Sequence, residues 1–340
     1  MDTTQISVDV AKSVFEVAVS DAPGRVTERH RLSRARFRRF FTERERAHVL
    51  MEACGSAHYW GRELESLGHR VSLLHGGDVA RYRDGNKTDR ADAKALLEAA
   101  RNEDIDPVPV KSVDPQAVAA LHRLRQGYLR TRTARINAVR GHLREFGIAI
   151  PQGAARVVPC ARAALASDVL PAYLRLALQE AVDEIVALDD KAQSLRRDLE
   201  RLAHQMPDAQ LLTTVPGVGV LTATALLAFV GDIRRFRSGR DFAAYLGLTP
   251  REHSTGRVRR LGPITKRGNS YLRMMLVHGA RSALRAGKIS AQPDDLRTWA
   301  LDVQRRRGHN IAAVALANKL ARVCWRVWGD QRPFQRREAH

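Results

Sequence analysis

The first hundred residues alternate between short apolar runs with the two-residue period of β-strands and longer segments with the period of α-helices. Strand patterns cover residues 6–10, 14–19, 48–53 and 70–74, and helical patterns cover residues 58–67 and 88–101. Only a short turn separates the first two strands, which predicts a hairpin. Alternation of this kind constrains this part of the chain to an α/β domain, in which helices cover a sheet.

From residue 115 onward the pattern is mainly helical, with long helices predicted over 115–146 and 174–206. Along the second helix, apolar residues recur at alternating spacings of three and four, which is typical of a coiled-coil seam. Such a seam packs either against a second copy of the chain or against the first long helix. We therefore predict an α/β domain at 1–110, a helical arm or coiled coil at 111–207, a small, mainly helical domain at 208–290, and a helix with a basic tail at 291–340.

The chain is strongly basic. Lys and Arg total 57 and Asp and Glu total 37, so the formal net charge is +20. An excess of this size favours a polyanionic partner, nucleic acid first of all, and the planar fork of arginine suits phosphate. A basic protein of membrane surfaces would carry an amphipathic basic helix or a lipidation signal near a terminus. Neither pattern occurs, so no membrane partner is expected.

The cysteines indicate the cellular compartment. Cys54, Cys160 and Cys324 are odd in number and far apart, which predicts neither a disulfide framework nor a zinc site. The strand pattern that begins at residue 6 leaves no room for a secretion signal. We therefore expect a cytoplasmic protein.

Four acidic residues stand out by their position: Asp9, Glu52, Asp89 and Asp92. Asp9 lies within the first strand pattern, and Glu52 lies near the end of the third, where α/β sheets usually present functional side chains. Asp89 and Asp92 are three residues apart at a helix start, so they share one face and a cation or solvent must relieve their repulsion. Taken singly, each has a structural explanation, because acids complement a helix N-terminus and a strand aspartate can face water. Together they form the layout with which RNase H-like nucleases hold metal ions, and hard carboxylate oxygens suit Mg²⁺.

A second cluster lies in the segment GLTPREHSTG at 247–256, where the hydroxyls of Ser254 and Thr255 lie between glycine and cations. Phosphoryl transfer needs a nucleophile, positive charge near the phosphate oxygens and a backbone that allows close approach, and this stretch supplies all three. The same composition also describes a glycine-rich loop that only grips DNA phosphates. The cations expected to bind nucleic acid here are Arg251, Arg257, Arg259, Arg260, Lys266 and Arg267.

Two further segments could contact DNA. The sequence VPGVG at 215–219, followed by an apolar helix, is typical of a helix-hairpin-helix, in which backbone N–H groups near Gly217 and Gly219 hold a phosphate. The same sequence is equally that of a plain turn before a buried helix. On the first long helix, arginines recur with almost no acids between them, which favours a phosphate-binding surface over a solvated face. The arginines assigned to it are Arg123, Arg130 and Arg135.

Taken in order, these motifs resemble those of the DEDD transposases of bacterial insertion sequences, a family that also includes the Piv-type DNA invertases. The resemblance is nearly full length, and its motifs are SVDVAK at 7–12, MEACG at 51–55, NKTDRADA at 86–93, VPGVG at 215–219, GLTPR at 247–251, STG at 254–256 and KRGN at 266–269.

The resemblance implies a RuvC-like RNase H fold at the N-terminus and a long helical arm used in oligomerisation, giving a homodimer or tetramer. It implies a C-terminal domain whose serine attacks the DNA phosphodiester to form a covalent link, with the acidic metal site beside it. It also implies a structured guide RNA, encoded by the element, that pairs with donor and target DNA.

One position departs from the family pattern. Members often carry the serine immediately before the glycine, a place that Thr255 holds here, while Ser254 precedes it. A primary alcohol is the less hindered nucleophile, so we assign the attack to Ser254, although a strict alignment selects Thr255.

Two other functions fit the same residues. A metal-only nuclease, similar to Holliday-junction resolvases, would use water as the nucleophile and the C-terminal domain for binding alone. A non-catalytic nucleic-acid-binding protein or RNA chaperone would use the four acids structurally, so that asparagine at Asp9 or Asp92 would leave its activity unchanged.

Overall fold

The computed structural model describes residues 4–22, 25–83, 88–256, 258–289 and 294–335. The chain divides between Asp114 and Pro115 into two compact units. The predicted arm, apart from its first four residues at 111–114, lies in the second unit together with the predicted small helical domain and tail segment, and the boundaries between these three stay predictions.

The first unit is built on a mixed five-stranded sheet with the order β3-β2-β1-β4-β5. Its strands are β1 (Gln5–Val10), β2 (Val14–Ser20), β3 (Glu28–Ser33), β4 (His48–Glu52) and β5 (Arg70–Leu74). The three strands β1, β2 and β3 are antiparallel neighbours, whereas β4 runs parallel to both β1 and β5. Because β1 and β4 are parallel neighbours, their carboxyl ends meet at one edge of the sheet.

Helices cover both faces of this sheet: α1 (Arg34–Thr42) and α2 (Ala57–Ser66) on one side, α4 (Asp89–Ala99) on the other, with the short α3 (Gly76–Val79) between β5 and α4. Successive strand residues point to opposite faces. Val8 and Met51 therefore pack with the aromatic side chains of α1 and α2, while Leu50 packs under Ala93 of α4. The face beneath α4 is the one that Asp9 and Glu52 share.

Over the residues that the structure describes, the second unit is helical apart from one hairpin. Its elements are α5 (Val113–Glu145), α6 (Val157–Leu165), α7 (Ala172–His204), α8 (Pro207–Thr213), α9 (Val220–Val230), α10 (Gly239–Tyr245), β6 (Pro250–Glu252), β7 (Leu261–Ile264), α11 (Ser270–Ile289), α12 (Asp295–Arg307) and α13 (His309–Asp330). A single large apolar core joins α8 to α13.

The arm consists of α5 and α7, which pack antiparallel within one chain. Ile136 of α5 shares an apolar cluster with Val182 of α7, while Val118 near the start of α5 packs with Leu199 near the end of α7. The apolar seam of α7 is therefore buried inside a single chain. This is the second of the two packings that the sequence allowed.

The uncharged run at 211–231 belongs to α8, the following turn and α9. No described helix is both long and apolar enough to span a bilayer.

Candidate functional site

Asp9 and Glu52 lie side by side where β1 and β4 end. Val8 pairs with Met51 in the parallel ladder, so the next residue on each strand is one of the two acids. Both acids lie two positions beyond residues that face α4, and the two-residue period of a strand turns them to that same face. Both side chains are half-buried. The sheet therefore presents two neighbouring carboxylates beneath α4.

The carboxylate of Glu52 lies directly against Gly76, the first residue of α3. A Cβ atom added to Gly76 would lie 2.3 Å from Oε1 of Glu52 and 2.7 Å from its Cδ. No side chain fits there without displacing the carboxyl group. Gly76 therefore makes room for the functional acid, a role that the sequence did not reveal.

Asp92 lies in the first turns of α4, which Thr88 caps by accepting a hydrogen bond from the backbone N–H of Ala91 at 3.2 Å. The Asp92 residue is 8% exposed, and its carboxylate forms an ion pair with Arg83. A buried carboxylate needs such a partner, because burial without one disfavours its charge. The ion pair with Arg83 therefore fixes the Asp92 carboxylate close to the start of α4.

The fourth acid, Asp89, begins α4, but its side chain lies outside the described residues, as do Asn86 and Lys87 of the same motif. Among the described side chains, no group of three or more His, Cys, Asp or Glu residues is arranged to hold a metal ion. The structure thus brings Asp9 and Glu52 together and places Asp92 on the helix that covers them.

The pKa of Cys54, two residues beyond Glu52, is affected by the negative charge at this edge of the sheet. Partial desolvation raises the pKa of its thiol, and the charges of Glu52 and Asp9 raise that pKa further. Two carboxylates that both act on one thiol produce a concentration of negative charge. Hard oxygen donors in such a cluster fit a divalent cation such as Mg²⁺.

The second candidate site is on the β6–β7 hairpin. The ladder continues past β6, because the His253 N–H donates to the Arg260 carbonyl at 2.9 Å. Ser254 then donates its hydroxyl proton to Oε1 of Glu252 at 2.7 Å and accepts a hydrogen bond from the backbone N–H of Arg260 at 3.1 Å. The serine is exposed, so its hydroxyl is oriented and open to a substrate.

Thr255 lies at the turn of the same hairpin. Its backbone N–H and carbonyl both bond to Val258, at 3.2 and 3.0 Å. Among the hydrogen bonds of the described residues, none involves the hydroxyl of Thr255. The two candidate nucleophiles therefore differ, since of the two hydroxyls only that of Ser254 donates a hydrogen bond to a carboxylate.

The cations around this hairpin have different roles. Arg259 lies 3.3 Å from the Glu252 carboxylate, and Arg251 reaches the carbonyl of Thr265 at 3.4 Å. The side chains of Arg260, Lys266 and Arg267 are exposed. Arg257 lies outside the described residues.

The KRGN motif and the arginine that follows it anchor the hairpin to the helical core. Asn269 caps α11 by accepting from the backbone N–H groups of Tyr271 and Leu272 at 2.9 and 3.1 Å. Arg273 donates to the carbonyls of Leu246 and Arg267 at 3.0 and 2.8 Å, which ties the segments before and after the hairpin together. The sequence placed these residues in a motif without revealing this structural role.

The turn between α8 and α9 packs closely on α11. A Cβ added to Gly217 would lie 2.4 Å from the carbonyl oxygen of Gly279, and one added to Gly279 would lie 2.1 Å from that of Gly217. Gly217 also has a φ of 82°. This glycine therefore has a packing role, whereas Gly219, the N-cap of α9, is exposed.

The arginines of α5 fall into two groups. Arg135 pairs with Glu184 of α7 at 2.5 Å, and Arg132 pairs with Asp189. Arg123 lies over the ring of Phe229 at 5.5 Å, with an exposed side chain. Arg130 is exposed, and none of the ion pairs among described residues includes it. Part of the arginine row thus neutralises acids of α7.

Paired carboxylates at a sheet edge and an exposed hydroxyl on a basic hairpin suit an enzyme that acts on nucleic acid, and comparison with known proteins identifies it as a DNA transposase or recombinase. A DEDD transposase model of the IS110 group matches residues 6–148. A second model, the transposase IS116/IS110/IS902 family, matches residues 209–293. The chain belongs to this family of insertion-sequence transposases.

Relatives match over almost the whole chain. A family 20 transposase of Pseudomonas aeruginosa is 45% identical, over 96% of this chain and 96% of the relative. The transposase for insertion sequence element IS1111A of Coxiella burnetii is 36% identical, over 98% of this chain and 92% of the relative. A pilin gene-inverting protein of Moraxella bovis is 24% identical, over 85% of this chain and 82% of the relative. A DEDD domain implies the use of a divalent metal.

Proposed function

We propose that this transposase cuts and rejoins DNA with two sets of groups, a Mg²⁺ site formed by Asp9, Glu52, Asp89 and Asp92, and the hydroxyl of Ser254 as nucleophile. The observation that carries the proposal is the hydrogen bond from Ser254 to a carboxylate on an exposed, basic hairpin. Attack by this hydroxyl on a phosphodiester gives a phosphoserine link that preserves the energy of the broken bond for rejoining.

The N-terminal unit has, in this proposal, a RuvC-like RNase H fold. Its support is the mixed sheet with Asp9 and Glu52 at adjacent strand ends and Asp92 on the covering helix. When bound there, Mg²⁺ would polarise the phosphodiester oxygens and offset their charge. A cation at Asp92 would share that carboxylate with Arg83.

The DNA partner follows from the activity of the family, and an element-encoded structured RNA is proposed as the guide. Support for the RNA comes from the family resemblance together with exposed cations such as Arg130 and Lys266. A basic surface binds either polyanion through its phosphates, and sequence choice is then left to base pairing. Assembly into a dimer or tetramer, and residence in the cytoplasm, belong to the same proposal.

The test is covalent capture. The protein is mixed with Mg²⁺, RNA transcribed from the non-coding segment that flanks its gene, and an end-labelled suicide DNA whose cleavage cannot be reversed. An adduct that survives denaturation is expected for the wild-type protein and for Thr255→Val, and not for Ser254→Ala. Asp9→Asn and Asp92→Asn should lose the adduct but keep DNA binding, whereas Asp104→Asn, at an exposed acid outside the site, should retain both.

Each alternative has its own outcome. An adduct in Ser254→Ala that disappears in Thr255→Val would transfer the nucleophile to Thr255. A free 5′-phosphate with no adduct would indicate the metal-only nuclease. Unchanged activity in Asp9→Asn would leave the carboxylates without a catalytic role.

A further inference from the structure

The hairpin holds a second chemical group next to the proposed nucleophile. Glu252 is the last residue of β6, and Ser254 lies two residues beyond it on the same arm of the hairpin. The Ser254 hydroxyl donates to Oε1 of Glu252 at 2.7 Å. Because a hydroxyl has one proton, this bond fixes where that proton points.

The other side of the Ser254 oxygen is fixed as well. The backbone N–H of Arg260, the residue before β7, donates to Oγ at 3.1 Å. A hydroxyl oxygen has two lone pairs, so accepting one hydrogen bond leaves one lone pair for a phosphorus atom. Glu252 and Arg260, on the two arms of the hairpin, thus orient a single hydroxyl.

Glu252 is present as a carboxylate. Its hydrogen bond from Ser254 lowers the pKa of Glu252, and the positive charge of Arg259 lowers that pKa further. Nε of Arg259 lies 3.3 Å from the same Oε1 atom that Ser254 contacts. An ionised carboxylate can only accept, so the group facing the serine is ready to take a proton.

We infer that Glu252 is a further catalytic residue, which accepts the proton of Ser254 as its oxygen attacks DNA. The inference rests on the proposed role of Ser254 as nucleophile. In cleavage, the Oγ–P bond forms, the bond from phosphorus to one deoxyribose oxygen breaks, the serine proton moves to Glu252, and the departing oxygen takes a proton from water. In rejoining, a deoxyribose hydroxyl loses its proton to water as it attacks the phosphoserine, and Glu252 returns a proton to the departing Oγ.

A carboxylate with a lowered pKa is a weak base in solution, but here it need only accept the proton as the Oγ–P bond develops. The carboxylate of the protein-kinase catalytic loop acts on a substrate hydroxyl in the same way. General-base assistance of this kind contributes roughly 10²–10⁴-fold to a rate. That range sets the size of the effect to be measured.

The experiment measures the single-turnover rate of adduct formation on the suicide DNA, with RNA and Mg²⁺ at saturation. Glu252→Gln keeps the size of the side chain and an oxygen that can accept from Ser254, but it cannot take the proton. We expect capture to slow at least ~10²-fold, with DNA binding and thermal midpoint unchanged. Glu200→Gln is the matched control, because Glu200 is a part-exposed glutamate, also paired with an arginine through Oε1, and should capture at the wild-type rate.

A second pair of variants separates chemistry from hairpin structure. In Ser254→Cys the thiolate forms without a base that accepts its proton, and a neighbouring carboxylate disfavours that thiolate, so at a pH of about 8.5 adding Glu252→Gln should not slow capture by more than ~3-fold. If Glu252→Gln slows capture as much in the Ser254→Cys protein as it does in the protein with Ser254, then Glu252 only supports the hairpin, and the inference would be wrong. Wild-type capture by Glu252→Gln alone would overturn it too. If Ser254→Ala still captures DNA, the proposed nucleophile itself fails, a result that Glu252→Gln cannot mimic.

Discussion

At the scale of single residues, the contact between Gly76 and Glu52 shows how a residue without a side chain can determine the position of one that acts. The two residues are 24 positions apart, and the glycine begins a helix of four residues. Alanine is the better helix former by roughly 0.5–1 kcal/mol, so stability alone would favour it at this position. The Glu52 carboxylate, however, occupies the space that the Cβ atom of an alanine would need.

Gly76→Ala should therefore separate stability from activity. We expect an unchanged or slightly higher thermal midpoint together with a loss of about 10²-fold in DNA cleavage, because a displacement of about 1 Å at a reacting group is enough for such a loss. Cleavage assays and thermal melts measure the two effects. Gly77→Ala is the control, since its added Cβ would meet the ring of His75 at 3.1 Å and not Glu52. Equal losses in both variants would show that the strain of α3, and not Glu52, is responsible.

At the scale of secondary-structure elements, α5 combines two kinds of arginine on one helix. Arg135 has its charge offset by Glu184, whereas Arg130 is exposed and outside the ion pairs of the described residues. A charge that is already balanced releases few counterions when DNA binds. The row of arginines read from the sequence is therefore not one uniform surface.

Arg130→Ala should weaken nucleic-acid binding and reduce the slope of log K against log salt concentration by about 1. Arg135→Ala should leave that slope nearly unchanged, and its effect on stability should stay below about 1 kcal/mol because the pair is exposed. Binding titrations across a range of salt concentrations test both variants. Similar slope changes in the two would mean that Glu184 does not neutralise Arg135.

Elements with a clear period were predictable, and elements whose pattern depends on distant partners were not. The sequence predicted β1, β2, β4, β5, α4, α5 and α7 to within a few residues. It missed β3, whose residues ERHRLS are mostly polar because the strand lies at an edge and pairs with β2 alone. It also missed α6 within the proline-rich linker, α12, and the hairpin of β6 and β7, whose strands are short and exposed.

The same distinction holds for the candidate site. The strand pattern indicated that Asp9 lies within a strand and Glu52 at a strand end, because the two-residue period is a local signal. The parallel pairing of β1 with β4, which brings the two acids together, joins distant segments and came from the structure. The ion pair of Asp92 with Arg83 and the bond between Ser254 and Glu252 depend on side-chain directions that no period encodes. Spacing alone had left Glu252 as one charge among several.

At the scale of the whole molecule, the two units have separate apolar cores, and a buried histidine belongs to the second. His122 of α5 is 0% exposed and lies 2.9 Å from the Tyr271 hydroxyl and 3.0 Å from Thr224 Oγ1. The Thr224 proton is directed at the Val220 carbonyl at 2.8 Å, so Nε2 of His122 donates to Thr224 and Nδ1 accepts from Tyr271. The neutral ring thus joins α5, α9 and α11.

Acid should consequently destabilise the second unit selectively. Burial, followed by the charge of Arg125, lowers the pKa of His122 from 6.5 to about 4. The unfolded chain takes up this proton at higher pH than the folded chain, so the stabilisation is complete above pH 6.5 and falls as the pH drops towards 4. The loss amounts to about 3 kcal/mol.

Calorimetry or amide hydrogen exchange between pH 7 and pH 4 measures this effect unit by unit. We expect His122→Gln to be less stable at pH 7 and to show a flatter pH dependence in the second unit, while the first unit behaves as in the wild type. If the free energy of unfolding of the second unit depends on pH in His122→Gln as it does in the wild type, the acid sensitivity belongs to another group.

The length of the antiparallel arm sets the distance between the apolar clusters at its two ends. Between Val118, packed near α9, and Leu143, packed near α6, α5 rises by about 38 Å at 1.5 Å per residue. One turn of B-DNA advances about 34–36 Å. The arm therefore separates its two apolar clusters by about the advance of one turn of a DNA duplex, and shortening both helices by two turns would reduce this separation by about 11 Å.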